Sequence, residues 1–380
     1  MTLSLYDSLL LEEKILSILG SHDRLRWNQL VKSFDNWDVY YLFEYANSVK
    51  IHEGGEIYLV YFSNDNDRLC FVVLQQDLST LEFFKNIISK DKLYDWSTPY
   101  GYGGPLVNHK FSENSDALFI QEVSVFCLKN NIVSLFVRFH PLMNNFESVH
   151  NLFETKYLRD TVYIDTSVSP DVIMKNMMGN CRRNIRRAQL SGITIEYRTA
   201  EAYEDFLPMY YETMRRHCAD SYYMFSSEYF EELSQLKDNA CFFYALYENK
   251  PICGALILFN SEYAHYHLGA TFDKYRGLYP TNMLFYSISC WANKNGIKKF
   301  HLGGGLTPND SLYRFKSHFN KNGSIPFGVG RVIFDRNQYE RLLCIRKELN
   351  RDFDENNNFM IQYRWDNDEN SDYSRSRGKS

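Results

Sequence analysis

The segment from Lys299 to Lys316, KFHLGGGLTPNDSLYRFK, is the most informative part of this 380-residue chain. Its first four residues are typical of a buried strand. Three glycines follow, where the backbone can approach a ligand closely and present N–H groups. Tyr313, Arg314 and Phe315 then precede Lys316 in an aromatic and basic cluster. The pattern predicts a strand that ends at a binding site; a turn before a solvated basic helix face is the alternative.

Length and composition indicate a folded protein of two domains. The chain is 44% hydrophobic and 16% aromatic, enough for real cores. A net charge of −5 argues against a general nucleic-acid binder, which would carry a strongly basic domain. The eight cysteines have neither CxxC nor metal-ligand spacing, as expected of reduced thiols in the cytoplasm. Neither a signal peptide nor a transmembrane segment is predicted, so a cytoplasmic location is expected.

Hydrophobic periodicity and turn residues outline a mixed α and β chain. Ser169 and Pro170 mark one helix start, as a cap followed by proline at the first helical position. Helices are predicted for 7–33, 117–130, 170–190, 202–217 and 281–295. Strands are predicted for 57–62, 69–74, 132–139, 161–165, 193–197, 241–247, 252–259, 263–270, 299–302 and 329–335. The polar tail from residue 366 is predicted to be disordered.

Four arginines lie close together in the helix that precedes Gly192. Arg182 and Arg186 are four residues apart, as are Arg183 and Arg187, so they form two adjacent rows on one helix face. No acidic residue interleaves them, and guanidinium groups suit phosphate. We therefore expect phosphate binding, with a solvated charged face as the weaker alternative.

Two further segments carry candidate site residues. The loop STPYGYGGP at 97–105 is rigid, and Tyr100 and Tyr102 offer stacking surfaces for sugars or bases; a purely structural loop is equally compatible. In the strand at 263–270, alternation places His265, His267 and Gly269 on one face. A histidine there could act as a base, although two strand histidines without a catalytic role are the more common case. A third metal ligand is not evident, and no metal is expected.

The segment YRGLYPTN at 275–282 precedes a predicted helix. A helix start of this kind can bind a pyrophosphate on its backbone N–H groups, which makes Arg276 and Gly277 cofactor-binding candidates. The segment matches such a pyrophosphate-binding helix start poorly, because Pro280 removes one backbone N–H donor.

These segments resemble the FemAB/FemX family of the GNAT superfamily. The resemblance rests on Gly303 and Gly304 followed by YRFK, on the RRNIRRA helix, on the TPYGYGGP loop and on Pro280. It covers roughly residues 40–345. It implies an α+β fold of two GNAT-like domains, each a mixed, mostly antiparallel sheet flanked by helices. We place the domains at 1–160 and 161–345, with 346–380 as a C-terminal extension whose end is disordered.

The resemblance also implies a transferase. An acyl or aminoacyl group would move from acyl-CoA or aminoacyl-tRNA to an amine of a cell-envelope precursor, in peptidoglycan or surface-polysaccharide biosynthesis. Lys316 is implied as the residue that handles the reacting carbonyl or the donor phosphate, and Gly303, Gly304, Tyr313 and Phe315 as substrate-binding.

The attacking amine must be neutral, so a base is required. His267 is the first candidate and Asp310 the second. The implied acceptor is a nucleotide- or lipid-linked amino sugar or muropeptide, and a lipid-linked one would be met at the membrane surface. The negative net charge and the lack of a long helical arm weigh against tRNA as donor and partner. The sequence leaves the oligomeric state open.

The alternative is a binding module without catalysis. A degenerate GNAT pair could recognise a phosphorylated ligand or RNA through Arg182–Arg187. A degenerate module would be expected to lack the glycine loop or Lys316. Both are present, which favours an enzyme.

Overall fold

The computed structural model describes residues 15–147 and 152–365, and within them the strands form one continuous sheet. The strands are β1 (Leu16–Leu19), β2 (Glu56–Asn64), β3 (Asp67–Asp77), β4 (Tyr94–Ser97), β5 (Leu106–Val107), β6 (Ile132–Arg138), β7 (Glu154–Asp165), β8 (Thr194–Thr199), β9 (Ala240–Tyr247), β10 (Lys250–Phe259), β11 (Tyr263–Thr271), β12 (Lys299–Gly304) and β13 (Ser324–Ile333). The helices are α1 (Arg24–Lys32), α2 (Phe43–Glu53), α3 (Glu113–Lys129), α4 (Pro170–Asn176), α5 (Gly179–Leu190), α6 (Phe206–Arg216), α7 (Ser227–Ser234), α8 (Pro280–Lys294), α9 (Ser311–Ser317) and α10 (Arg336–Leu349).

The sheet contains the same unit twice. In the first half, β2, β3 and β4 are antiparallel neighbours, and α3 then leads to β6, which lies parallel to β4. In the second half, β9, β10 and β11 are antiparallel neighbours, and α8 leads to β12, which lies parallel to β11. The full order is β1-β2-β3-β4-β6-β13-β7-β12-β11-β10-β9-β8, with β5 beside β3. The described chain is therefore a tandem repeat of one α+β unit.

The two units share strands at their junction. β13 pairs antiparallel with β6 of the first unit and with β7, which in turn pairs with β12 of the second. The predicted domain boundary near residue 160 falls within β7, and the division into 1–160 and 161–345 stays a prediction. β13, which follows both repeat units in the sequence, completes the sheet between them.

Apolar packing also joins the units. One core cluster lies between α1 and α2 of the first unit and α6 and α7 of the second, and it includes Trp27, Tyr45, Phe206 and Tyr229, each fully buried. Separate clusters form beneath α3 and beneath α5 and α8. Burial of this much aromatic surface holds the two units in one arrangement.

Several predicted elements are confirmed. The segments at 57–62 and 69–74 lie within β2 and β3 and pair antiparallel with Leu59 opposite Val72. The turn between β9 and β10 has left-handed φ values of 51° and 61° at Glu248 and Asn249, the conformation of a two-residue hairpin turn.

Two helix predictions are wrong in part. Residues 16–19, predicted helical, form β1, because their backbone pairs with β2, with Leu16 opposite Phe62. Residues 7–14 of that predicted helix lie outside the described residues. The tail from residue 366, predicted to be disordered, also lies outside them. The predicted helix at 170–190 is two helices, since Met177 and Met178 are extended and the Met178 N–H donates to the His318 carbonyl. A tertiary hydrogen bond thus overrides the helical pattern.

Candidate active site

A cavity of about 240 Å³ opens where β11 and β12 separate. Their parallel pairing covers only Tyr263–His265 opposite Lys299–His301, and beyond it the two strands diverge. Residues from both units line the cavity: Tyr40, Tyr100, Gly101, Tyr102, Arg138, Arg159, Thr161, Tyr223, Tyr266, His267, Leu302, Gly303, Gly304, Gly305, Leu306, Leu312, Lys316 and Phe327. Parallel strands that separate leave a gap in the sheet, which is where an extended ligand could enter.

The glycines at the end of β12 allow the close packing of this wall. Gly303 has a left-handed φ of 71°, and a Cβ there would lie 3.4 Å from the Nζ of Lys316 and 3.5 Å from the Oη of Tyr102. At Gly304 a Cβ would lie 2.9 Å from the carbonyl oxygen of Asp160. A side chain at Gly304 would force the neighbouring strand to shift, whereas at Gly303 the restriction comes from the left-handed backbone.

Lys316 lies at the last turn of α9 and reaches back to this wall. Its side chain is 7% exposed, and its Nζ donates to the carbonyl oxygen of Gly304 at 2.7 Å. Burial lowers the pKa of Lys316 to about 7; Asp310 raises that pKa and Arg159 lowers it further. Within the described residues, no carboxylate oxygen lies close enough to the Nζ of Lys316 to form an ion pair, for which the limit is 4.0 Å. The amine therefore has N–H donors to offer a ligand.

Two arginines that the sequence reasoning did not single out face the same cavity. Arg138 ends β6 and donates to the carbonyl oxygen of Thr98 at 3.0 Å. Arg159, in β7, donates to the carbonyl oxygens of Gly305, at 2.9 Å, and Leu306. Burial lowers the pKa of Arg159. The sequence could have indicated Arg138, because it is the one charged residue in the mostly apolar strand segment 132–139.

The cavity is electrostatically one-sided. Three cationic side chains, Arg138, Arg159 and Lys316, line it, and no aspartate or glutamate does among the described residues. Neither guanidinium has a carboxylate in ion-pair range in that part of the chain. Partly desolvated cations without a counter-charge are costly, and guanidinium groups pair strongly with carboxylate and phosphate. The arrangement suits an anionic ligand.

His267 lines the cavity from β11. Its Nε2 lies 2.7 Å from the Oη of Tyr229. Burial lowers the pKa of His267 to about 3, and His265 contributes to this lowering, so the imidazole is neutral at neutral pH. His267 is the extra residue of a β-bulge, since Tyr266 pairs with Ile257 whereas Leu268 pairs with Leu256.

The bulge corrects the predicted alternation. His265 and His267 share a face as predicted, because both rings contact Tyr40. Gly269 lies on the opposite face, where a Cβ would collide with the Oη of Tyr266. Strict alternation fails because a bulge inserts one unpaired residue.

Asp310 lies at the N-terminus of α9 rather than in the cavity lining. Its carboxylate accepts the backbone N–H groups of Tyr313, at 2.7 Å, and of Leu306 and Thr307. Burial raises the pKa of Asp310, but these backbone donors outweigh that effect and the pKa lies below its ordinary value. The carboxylate is therefore engaged as a helix cap.

The predicted tyrosine loop reaches the cavity, whereas the aromatic residues of α9 do not. Tyr100 and Tyr102 both line it, and the Tyr102 ring packs against those of His301 and Phe327. Tyr313 instead pairs with the hydroxyl of Ser324, and Phe315 packs against two other phenylalanines, Phe285 and Phe319. Tyr40, Tyr223 and Tyr266 complete an aromatic wall that the sequence pattern had not indicated.

The arginine helix is separate from the cavity. Arg183, Arg186 and Arg187 are exposed on α5, whereas Arg182 donates to the carbonyl oxygen of Met177 at 2.7 Å and so caps α4. None of the four lines the cavity. They remain predicted anion-binding residues on another surface.

One of these arginines meets the predicted pyrophosphate loop. Arg187 lies 3.4 Å from the Oη of Tyr279, the residue directly before α8. In the preceding turn, Arg276 pairs with Asp273 at 3.3 Å, and Gly277 has open space around it. The basic face of α5 and the start of α8 therefore form one continuous surface.

Among the residues described, no helix combines the length and apolar character needed to cross a membrane.

Residues 175–317 match the family described as an acetyltransferase (GNAT) domain. The second repeat unit is therefore a GNAT domain.

Across both repeat units, the fold of the described residues is similar to that of FemX. The crystal structure of FemX matches with a TM-score of 0.65 and 13% identity, over 86% of this chain and 99% of FemX. The C-terminal domain of a putative lysylphosphatidylglycerol synthetase from Agrobacterium fabrum matches with a TM-score of 0.51 and 12% identity, over 87% of this chain and 97% of that domain. The predicted FemAB/FemX-like GNAT fold is confirmed. None of the curated protein sequences compared with this chain matches it.

Proposed function

We propose that this chain is a cytoplasmic transferase that moves an acyl or aminoacyl group from an activated donor to a primary amine of an anionic cell-envelope precursor. The observation that carries the proposal is the buried Lys316 amine, held against the glycine end of β12 in a cavity whose charged lining is entirely cationic. The GNAT domain at 175–317 supports acyl transfer as the reaction class.

The reaction joins two substrates in one step of addition and one of elimination. The acceptor nitrogen attacks the donor carbonyl carbon, and the carbonyl π electrons move to oxygen. When the carbonyl re-forms, the bond to the donor oxygen or sulfur breaks, and the proton lost by the amine ends on that leaving group. The products are an amide and a free alcohol or thiol, so atoms and charge balance.

Lys316 would stabilise the oxyanion of this addition. An ammonium group has three N–H donors, and one of them is used on the Gly304 carbonyl. Two donors remain for an oxygen that becomes negative. Donors placed before the reaction stabilise a developing oxyanion more than water does, because no reorganisation is required.

Of the two predicted bases, His267 fits the geometry better than Asp310. His267 lines the cavity with a neutral imidazole. Asp310 lies outside the lining, with its oxygens on backbone N–H groups. We therefore retain His267, on its position, as the proposed acceptor of the amine proton; because its pKa of about 3 makes it a weak base, it would pass the proton on to the leaving group as the bond to the donor breaks.

The acceptor is proposed to be a nucleotide- or lipid-linked amino sugar or muropeptide. Its diphosphate or carboxylate would pair with Arg138 and Arg159, and its sugar would stack on Tyr100 and Tyr102, which line the same cavity. Peptidoglycan or surface-polysaccharide biosynthesis is proposed as the setting because the sequence resembles the FemAB/FemX family, and the FemX-like fold agrees with that resemblance.

The donor is proposed to be acyl-CoA or aminoacyl-tRNA. Both are polyanions, and the exposed arginines of α5 beside the start of α8 offer them a basic surface. This surface is also the observation that favours the second candidate, a module that binds RNA or a phosphorylated ligand without catalysis.

The experiment is a matrix of donors and acceptors. Purified full-length chain is incubated with acyl-CoAs or aminoacyl-tRNAs and with amino-sugar nucleotides or muropeptide precursors, and products are identified by mass spectrometry. The proposal predicts an acceptor whose mass increases by one acyl or aminoacyl group. Thermal stabilisation by RNA alone, with no product from any pair, would support the binding module instead.

A further inference from the structure

A second cluster of chemically active side chains lies buried beside the cavity and takes no part in the proposed transfer. Asp38, which precedes α2, His140, which follows β6, and His265 in β11 converge from both repeat units. They are 0%, 0% and 1% exposed, respectively. One ligand atom from each residue lies within 4.8 Å of the other two.

The hydrogen bonds of this cluster are incomplete. The Nε2 of His265 lies 2.8 Å from the Oδ2 of Asp38, and the Nε2 of His140 lies 3.5 Å from the same oxygen. Within residues 15–147 and 152–365, neither ring nitrogen of His140 has a partner in hydrogen-bond geometry, nor does the Nδ1 of His265. Buried polar atoms without partners are unfavourable, and structures that keep them usually satisfy them with an ion or ordered water.

The residues around the cluster fix its shape. The Oδ1 of Asp38 accepts the backbone N–H of Tyr40 at 3.2 Å, which leaves Oδ2 directed at the histidines. The backbone N–H of His140 donates to the Oδ1 of Asn145 at 2.8 Å. The hydrogen bond to Asp38 is of the kind that orients a metal-binding carboxylate, whereas the bond from the His140 backbone fixes the position of the chain that carries this ring.

We propose that Asp38, His140 and His265 bind one divalent transition-metal ion of the zinc class. Two imidazoles and one carboxylate are ligands that suit zinc, with bonds of about 2.0–2.1 Å. Tetrahedral bonds of that length separate two ligand atoms by about 3.3 Å. This value lies between the distances from the Oδ2 of Asp38 to the Nε2 of His265, 2.8 Å, and to the Nε2 of His140, 3.5 Å. Because the ligand nitrogens must be unprotonated, metal binding would displace any proton held between Asp38 and His265.

The ion would have a structural role in the active-site wall. The Tyr40 ring, which lines the cavity, packs with its centroid 4.9 Å from that of His265 and 6.0 Å from that of His140. The Tyr102 ring centroid lies 5.9 Å from that of His140. An ion that joins His140 of the first unit to His265 of the second would fix both tyrosines. The proposal is independent of the transferase assignment.

The test measures binding rather than catalysis. Full-length chain is stripped with a chelator and titrated with Co²⁺, whose visible absorption reports tetrahedral coordination, and with Zn²⁺ followed by elemental analysis. We expect one ion per chain and a rise in the thermal unfolding temperature with Zn²⁺. Asp38→Asn and His140→Gln should lose both effects. His301→Gln, which alters a buried histidine outside the ligand set, should keep them.

Three outcomes would overturn the site. The first is a stripped wild-type chain that takes up no ion and unfolds at the same temperature with and without Zn²⁺. The second is equal loss of metal in His301→Gln, and the third is full metal content in both ligand variants. Because the wild-type titration decides the first outcome, the test holds even if the ligand variants do not fold.

Discussion

The Nζ of Lys316 lies 2.7 Å from the carbonyl oxygen of Gly304. This contact ties α9 to the end of β12, although twelve residues of chain separate the two positions. It places a buried amine beside the point where β11 and β12 diverge, with Arg159 close enough to lower its pKa.

Gly303→Ala should disturb both the fold and the site. Its left-handed φ costs a non-glycine residue about 1–2 kcal/mol, and the added Cβ would lie 3.4 Å from Nζ of Lys316. We expect a loss of about 1 kcal/mol in urea unfolding, and slower transfer. Gly277→Ala is the matched control for stability, since a Cβ there meets nothing within 4 Å. Equal stability of the two variants would contradict this reading.

The buried amine should give a pH-dependent stability. Because the pKa of Lys316 is about 7 in the folded chain and ordinarily 10.5, the unfolded chain binds one more proton between these values. The contribution of Lys316 to stability therefore rises with pH across this window, and the cost of burying the ammonium is complete below pH 7.

The substitution Lys316→Met removes the free-energy cost of burying the ammonium group. We expect the variant to unfold at a higher temperature than the wild type near neutral and lower pH, and the difference to shrink as the pH approaches 10.5. Calorimetry over this range measures it. A difference that does not change with pH would mean that the pKa of Lys316 is the same in the folded and the unfolded chain, and so is not lowered by burial.

Arg159→Gln should weaken acceptor binding. A hydrogen bond to a charged group contributes about 1.5–3 kcal/mol, so we expect the KM for the anionic acceptor to rise about tenfold or more, with a smaller change in kcat. Arg198→Gln is the control, because that guanidinium pairs with Glu196 and Asp205 outside the cavity. If both variants keep the wild-type KM, Arg159 does not bind the acceptor.

The double variant Arg186→Ala/Arg187→Ala should distinguish between donors. Both side chains are exposed, so thermal unfolding should not change. If the donor is tRNA, its affinity should fall and the slope of log affinity against log salt should decrease by about one to two. Arg336→Ala/Arg341→Ala, on the exposed face of α10, is the comparison. Equal tRNA affinity in the two double variants would exclude α5 as the tRNA surface.

The sequence predicted the features that depend on local chemistry. The glycine-ended strand, the lysine after it and the tyrosine loop were all recognisable from composition and spacing, and they line one cavity. The strands predicted at 241–247 and 252–259 likewise lie within β9 and β10, which pair as neighbours.

Features that depend on long-range register were not predictable in the same way. The bulge at His267 arises from a shift opposite β10, and a period-2 pattern carries no sign of it. Arg138 and Arg159 meet only because β13 and β7 bring the two units side by side. Asp38 and His140 are about a hundred residues apart, so their convergence on His265 is a product of topology.

The most direct test compares the rate of amide formation, measured by mass spectrometry, in the wild type, Lys316→Ala and Lys321→Ala. Lys321 is exposed and outside the cavity. We expect Lys316→Ala to lose about a hundredfold or more in kcat, as for removal of an oxyanion donor, with unchanged far-UV circular dichroism. Lys321→Ala should keep wild-type turnover. Undiminished turnover in Lys316→Ala would contradict the proposal that this amine stabilises the reacting carbonyl.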